Sequence, residues 1–403
     1  MNKHETSKIG VATATIIGMN AMIGSGIFTA PATMAANVGP AGIIAYLIVV
    51  VSVWFMALSL ARLAALYPQE GSFYVYASQW GGHRVGMIAS SCYFIGLLIA
   101  MGLLAQMAGQ YLTTFFPAVS AFNLGLYTLG ALVVLNLFGV VLSQIGQHIL
   151  IVCTVFPLIA TTILCLTKAN LANLTPFAPF GFANVFKATR VVIFGFLGFE
   201  SATSLFNIVR DPARNVPRAL TYSIVLVGII YTLFVGAMIL ATPLDLFQSA
   251  RVPLSETLHV LFPQYPWLIS IIHFAILSAI IGTIHSMIWG SSNLLTLLIK
   301  RFKSPLGLKL ANSSLAHNTR AAVLFVGACI ALTYSTINNP DLFFFLTALF
   351  IILAFILSLI TLLTVKEEWT SGHNIKTVIG IATASAILFF AAEGLVQQLS
   401  TLW

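Results

Sequence analysis

The sequence predicts an all-α polytopic membrane protein of about eleven spans, two of which are interrupted at mid-membrane. Composition is the first reason: 59% of the 403 residues are hydrophobic and only 7% are charged, and the mean hydropathy is +1.00. A soluble fold would leave most of that apolar surface without polar cover. Second, apolar stretches recur at the length a spanning helix needs, roughly 20 residues, while the polar/apolar alternation of a membrane barrel is absent. Third, Ile16–Pro31 reads IIGMNAMIGSGIFTAP, so Gly24-Ser25-Gly26 falls halfway along an apolar helix. Lipid tolerates that loss of backbone bonding only beside a cavity.

Polar punctuation places the spans in order. Span one runs over Ile9–Ala36 and holds the break, span two over Ala41–Leu66 and span three over Val85–Leu112. Between the last two, Tyr67–Gly82 (YPQEGSFYVYASQWGG) is aromatic and amphipathic, which predicts a short interfacial helix feeding span three. Span four is Asn123–Leu142 and span five Ile149–Leu166, and an outward loop over Ala169–Phe186 follows. Spans six to eight are Ala188–Val209, Leu220–Ala241 and Trp267–Ile299; spans nine to eleven are Ala321–Ile337, Leu342–Val365 and Val378–Leu399.

Basic residues test this ladder, because they gather in alternate, cytoplasmic loops. With the N-terminus inside, only Lys168, Lys187, Arg190 and Arg251 of the 18 Lys and Arg residues lie outside. The N-terminus is therefore expected inside and the C-terminus, after an odd number of spans, outside. The Arg210–Leu220 segment, RDPARNVPRAL, reads as a positive-inside anchor. No cleavable signal peptide is expected in MNKHETSK. The net charge of +8 is spread between spans, so no nucleic-acid partner is expected. Cys92, Cys153, Cys165 and Cys329 lie within spans without metal-ligand spacing, which predicts neither disulfides, a metal nor a cofactor.

A second interruption appears in span six, VVIFGFLGFESAT, where Gly195 and Gly198 flank the middle and Glu200 follows. Two glycine-interrupted helices five spans apart predict two repeats of one unit, inverted because five is odd. The expected division is residues 1–168 for spans one to five, 169–366 for spans six to ten, and 367–403 for an accessory span eleven.

Four motifs now occur in a fixed order: Met22-Ile23-Gly24-Ser25-Gly26-Ile27-Phe28; YPQEGSFYVYAS; GFLGFESAT with RDPARNVPRAL; and GTIHSMIWGSSN over Gly282–Asn293. Together they resemble the amino acid/polyamine/organocation transporter superfamily, most closely its bacterial amino acid antiporter branch. The resemblance covers spans one to ten. It implies a five-plus-five inverted repeat of the leucine-transporter type with discontinuous helices one and six, alternating access, and secondary transport of amino acids or related amines. It also implies that an aromatic at Phe194 closes over the substrate. The Lys that some members carry in span five is missing here, where Pro157 or a neighbour stands. Family members usually have about twelve helices, so a homodimer through the last helices is compatible with this chain without being required.

The chemistry can also be read from the residues. An amino acid in a bilayer must exchange water for fixed dipoles at both its charges. Amides of Ser25, Gly26 and Ile27, opening the second half of span one, offer N–H donors and a positive dipole end to the carboxylate. Carbonyls around Ala21 and Met22 in span one and over Phe194 to Leu197 in span six suit the ammonium, and Ile23, Gly24, Gly195, Leu197 and Gly198 complete the expected substrate-binding set. Glu200, the one acid deep within a span, is the candidate proton or amine partner, and His285 in span eight is a second. Tyr93 in span three is a candidate for a cavity hydroxyl. Sodium would need oxygens such as those of Ile23, Thr283 and Ser286, whereas exchange needs no ion. His273 and Glu393 read as interfacial hydrogen bonders.

The apolar character of these positions favours neutral substrates, with a cationic amino acid or polyamine antiporter as the alternative; export fits as well as import. No HExxH, paired intramembrane Asp, or GxSxG with a partner His suggests an enzyme. The spans lack the polar lining of a channel.

Overall fold

The computed structural model describes residues 8–24, 26–69, 72–138, 144–200, 209–249, 254–303, 309, 311–364 and 371–400. Among them it is all-helical apart from one isolated bridge, Ile9 to Val209, where Arg210 N–H donates to Ile9 O at 2.9 Å. That bridge ties the entry of the first span to the exit of the sixth.

The first span is two helices, α1 (Val11–Met22) and α2 (Gly26–Val38). Next come α3 (Gly42–Leu66) and α4 (Ser72–Leu112). The expected interfacial helix is the first part of α4, joined to the span across Gly82, whose φ of 64° and ψ of −167° turn the chain out of the helix. It is docked on the end of the helix Pro340–Leu359 and its short continuation: Trp80 Nε1 donates to Leu357 O at 2.7 Å, and Thr361 Oγ1 donates to Tyr76 O at 2.6 Å. The bundle continues with α5 (Ala121–Leu137), α6 (Gln144–Thr167), α7 (Phe182–Val192) and α8 (Pro212–Ala241).

Two short helices follow, α9 (Leu244–Ser249) and α10 (Leu254–Leu261), in a stretch where the sequence suggested only a connection, because neither is long enough to read as a span. The remainder is α11 (Pro266–Arg301), α12 (Thr319–Thr336), α13 (Pro340–Leu359) and α14 (Ser371–Ser400).

Seven of these helices are long and apolar enough to cross a membrane individually: α3, α4, α8, α11, α12, α13 with its short continuation to Thr364, and α14. The expected eleven include spans one and six, whose helices are divided, and the helices α5 and α6, whose apolar stretches Ala121–Leu137 and Ile151–Thr167 are shorter. Ile149, Val152, Phe156, Ile159 and Ile163 form an exposed apolar stripe at helical spacing on α6. That face suits hydrocarbon and not water.

Lipid tails are as apolar as Leu, so the spans are held by close packing and by polar bonds between helices. One such bond joins α5 to α11, where Asn136 Nδ2 lies 2.9 Å from His285 Nδ1. Where the end of α4 meets the start of α11, His273 Nε2 donates to Tyr111 O at 2.8 Å.

Candidate functional site

Helix α1 ends because Ile23, at φ −77° and ψ 78°, leaves the helical region; its N–H still reaches Met19 O at 2.7 Å, and Gly24 N–H turns back to Met22 O at 2.8 Å. Helix α2 then restarts at Gly26, so the N–H groups of its first turn, among them those of Gly26, Ile27 and Phe28, have no acceptor within the helix. Ser25, the first of the expected donor set, lies outside the described residues. In span six, α7 tightens into a 3-10 turn over Ile193–Phe196, Leu197 is extended, and Gly198 adopts φ +107°. A side chain at Gly198 would be strained by that backbone.

The structure brings the two interruptions together. A Cβ on Gly26 would come 2.8 Å from Gly195 Cα and 3.0 Å from Phe194 Cδ1. A Cβ on Gly198 would come 2.2 Å from Ala21 O. Gly26 and Gly198 are therefore small because a side chain there would run into the backbone of the other break. Thr283 of α11 closes a third side: a Cβ on Gly24 would come 3.2 Å from its Oγ1, which donates to Ala279 O at 2.9 Å.

Glu200 sits at the end of the second break, 4% exposed. Its Oε2 accepts the Gly198 N–H at 3.0 Å, and its Oε1 accepts the Tyr93 hydroxyl of α4 at 2.7 Å. Burying a carboxyl in this way is tolerable because both oxygens are bonded. Tyr93 itself is fixed by Phe73, with ring centroids 4.2 Å apart. Phe194 is buried and meets Phe344 of α13 edge-on at 5.1 Å, which puts an aromatic pair beside the Gly26–Gly195 contact.

Two placements were not legible in the sequence. Tyr231 of α8 donates its hydroxyl to Met22 O at 3.0 Å, so one of the carbonyls expected to face the substrate is held by a side chain from another helix. Its ring packs against Phe196 at 5.0 Å. His285 is turned toward Asn136 of α5 and is 9% exposed, while Ser286 on the next position is exposed. Among the described residues no group of three or more His, Cys, Asp or Glu side chains gathers to hold a metal.

At one end of the bundle α14 grips α7: Lys187 and Glu393 form an ion pair at 2.7 Å, and Arg190 Nη1 donates to Phe390 O at 2.9 Å. Glu393, expected to snorkel or to bond at the interface, is engaged by Lys187.

Among the described residues, the bundle brings together two interruptions of apolar helices, an arrangement found in membrane transporters. The profile of the amino acid permease family matches residues 9–400, and the chain belongs to that family. An uncharacterized transporter of Mycobacterium tuberculosis is 27% identical over 331 residues, 82% of this chain and 74% of that protein. A probable GABA permease of Pseudomonas aeruginosa is 28% identical, covering 77% of this chain and 68% of its own. The branched-chain amino acid permease BcaP of Bacillus subtilis is 24% identical over 62% of this chain and 58% of its own. The family and these relatives support amino acid transport across a membrane by a multi-pass protein.

Proposed function

We propose that the protein exchanges neutral amino acids across the bacterial inner membrane by alternating access, with the N-terminus inside. The observation that carries this reading is the direct apposition of the two breaks, Gly26 on Gly195 and Ala21 on Gly198. Separating them opens a space whose walls are the N–H end of α2 and the extended backbone of Leu197 and Gly198. The substrate carboxylate takes the first and its ammonium the second, each replacing water by fixed dipoles. Residues 1–168 and 169–366 act as two inverted repeats that rock around this point, with 367–403 alongside.

Neutral substrates are favoured because the carboxylate of Glu200 is already engaged by Tyr93 and Gly198, so it is not free to pair with a cationic side chain. The same two bonds favour a proton-linked variant of the reading: a proton on Glu200 removes the charge that holds the Tyr93 hydroxyl and the Gly198 N–H, and so loosens the second break. His285 in this scheme joins α5 to α11 and does not touch the substrate. The relatives named as permeases for branched-chain amino acids and GABA both handle solutes without net charge at neutral pH, in keeping with this choice.

Counterflow in proteoliposomes tests the proposal. Vesicles loaded with individual amino acids, GABA or polyamines are diluted into trace label; accumulation driven by neutral amino acids supports it. Accumulation driven only by Lys, Arg or polyamines overturns the substrate class, and flux that neither saturates nor accelerates with internal solute overturns exchange.

A further inference from the structure

A cavity of about 370 Å³ lies away from the breaks, between α2, α7, the start of α13 and the last turns of α14. Its lining includes Asn37, Lys187, Arg190, Asp341, Phe345 and Gln397. The volume is within the roughly 300–1,000 Å³ of small-molecule sites. We propose that this cavity is a second binding site, selective for a zwitterionic α-amino acid. The proposal rests on the transport reading above, because the cavity adjoins α2 and α7, the two half-helices that flank the break.

The charges argue for that ligand. Glu393 forms an ion pair with Lys187 at 2.7 Å and, with Asp341, also acts on the Arg190 charge; among the described residues Arg190 and Asp341 are in no ion pair and so remain as the pair for an occupant. Arg190 is held in place on two sides: one N–H donates to Phe390 O at 2.9 Å, and the guanidinium lies 4.2 Å from the centroid of the Phe345 ring. Its other N–H donors meet no acceptor among the described residues. Asp341 has its backbone N–H capped by Asn339 Oδ1 at 2.9 Å, yet among the described residues no donor reaches its carboxylate, on which the Arg190 charge acts. A partly buried carboxylate and a fixed guanidinium, each with spare bonding capacity, are both satisfied by one molecule carrying an ammonium and a carboxylate. A simple cation or anion satisfies one and repels the other. The Phe345 ring and the aliphatic parts of the walls leave room for an apolar side chain, and Gln397 and Asn37 offer amides that can bond either end.

The site also gives α14 a purpose. Gly394 and Gln397 form one wall, and the absence of a side chain at Gly394 leaves the Arg190 guanidinium its place, since a Cβ there would come 2.5 Å from Nη1 and shift it. The helix outside the two proposed repeats therefore completes the cavity and positions its guanidinium.

The test is ligand protection of a reporter thiol. Gln397→Cys in proteoliposomes is labelled with a membrane-impermeant thiosulfonate, with the unsubstituted protein as background for the four native cysteines. Millimolar L-leucine is expected to slow labelling several-fold, whereas 4-methylpentanoate and 3-methylbutylamine, each lacking one of the two charges, leave it unchanged. Asp341→Asn is expected to erase protection without altering the unprotected rate. Asn37→Cys, across the cavity on α2, provides an independent reporter should the first variant fail to assemble. Labelling that ignores L-leucine at both positions, or equal protection by all three compounds, overturns the site. Counterflow on the same vesicles separates the two readings: exchange without protection removes this site and leaves transport standing, while protection without exchange of any amino acid keeps the site and removes the transport reading.

Discussion

Tyr93 and Glu200 meet across 2.7 Å, a bond that joins the third span to the broken middle of the sixth although 107 positions separate them in the chain. The same carboxylate caps the Gly198 N–H at 3.0 Å. Glu200 thus links the backbone of the break to a helix outside it, and a change of charge on this one group is felt in both places.

Glu200→Gln is expected to flatten the pH profile of uptake, because the amide keeps the shape but exchanges no proton. Uptake of the best counterflow substrate between mildly acidic and mildly alkaline pH checks it, and an unchanged profile would remove the proton role. Glu200→Ala should also destabilise the protein, since an unsatisfied buried donor costs about 1–3 kcal/mol; thermal unfolding in detergent reads this.

The glycines of the two breaks should respond unequally to a methyl group. A Cβ on Gly195 would meet nothing closer than 3.6 Å, whereas Gly26 and Gly198 would clash with backbone at 2.8 and 2.2 Å. Gly195→Ala is expected to keep most uptake. Gly26→Ala and Gly198→Ala should lose it, with an overpacking cost of about 1–3 kcal/mol. Parallel uptake and thermal-shift measurements on the three variants decide it.

Tyr231→Phe removes the hydroxyl from Met22 O and leaves the ring on Phe196. Loss of one such bond costs about 1 kcal/mol. A modest fall in thermal stability is expected, with a several-fold change in apparent substrate affinity because a carbonyl at the end of α1 is released. Unaltered kinetics would mean that this carbonyl has no part in the site.

Asn136 and His285 should behave as a pair. Interhelical polar bonds in membrane proteins average about 0.6 kcal/mol in double-mutant cycles. The cycle Asn136→Ala, His285→Ala is expected to return a coupling of that order, and full additivity would show that the bond contributes nothing. Transport by His285→Asn should persist if the histidine joins α5 to α11 and takes no proton.

Some of this was visible in the chain itself. Gly24, Gly26, Gly195 and Gly198 stand out because they interrupt two spans five apart in the chain; one glycine pair alone would read equally as close helix packing. The interfacial segment before span three was legible from its aromatic, amphipathic composition, and Gly82 marks its joint. Helix starts were less so: α7 begins at Phe182, six residues before the expected span, because Asn184 and Lys187 dilute the apolar signal although the chain is already helical after Gly181. The same dilution by His373, Asn374 and Lys376 hid the start of α14 at Ser371.

Composition, apolar length and glycine position determined that this is a multi-pass helical membrane protein with two interrupted spans, because each is a local property of the chain in lipid. Which group faces which was decided only by the packed bundle. Thr283 and His285 are two positions apart on one helix, about 200° around its axis, so they address different neighbours, yet only the tertiary structure shows Gly24 on one side and Asn136 on the other. Tyr231 finds Met22 across 209 positions, and Arg190 is held by Phe390 across 200. Pairings of that range depend on the order in which the helices pack, and no window along the sequence contains both partners.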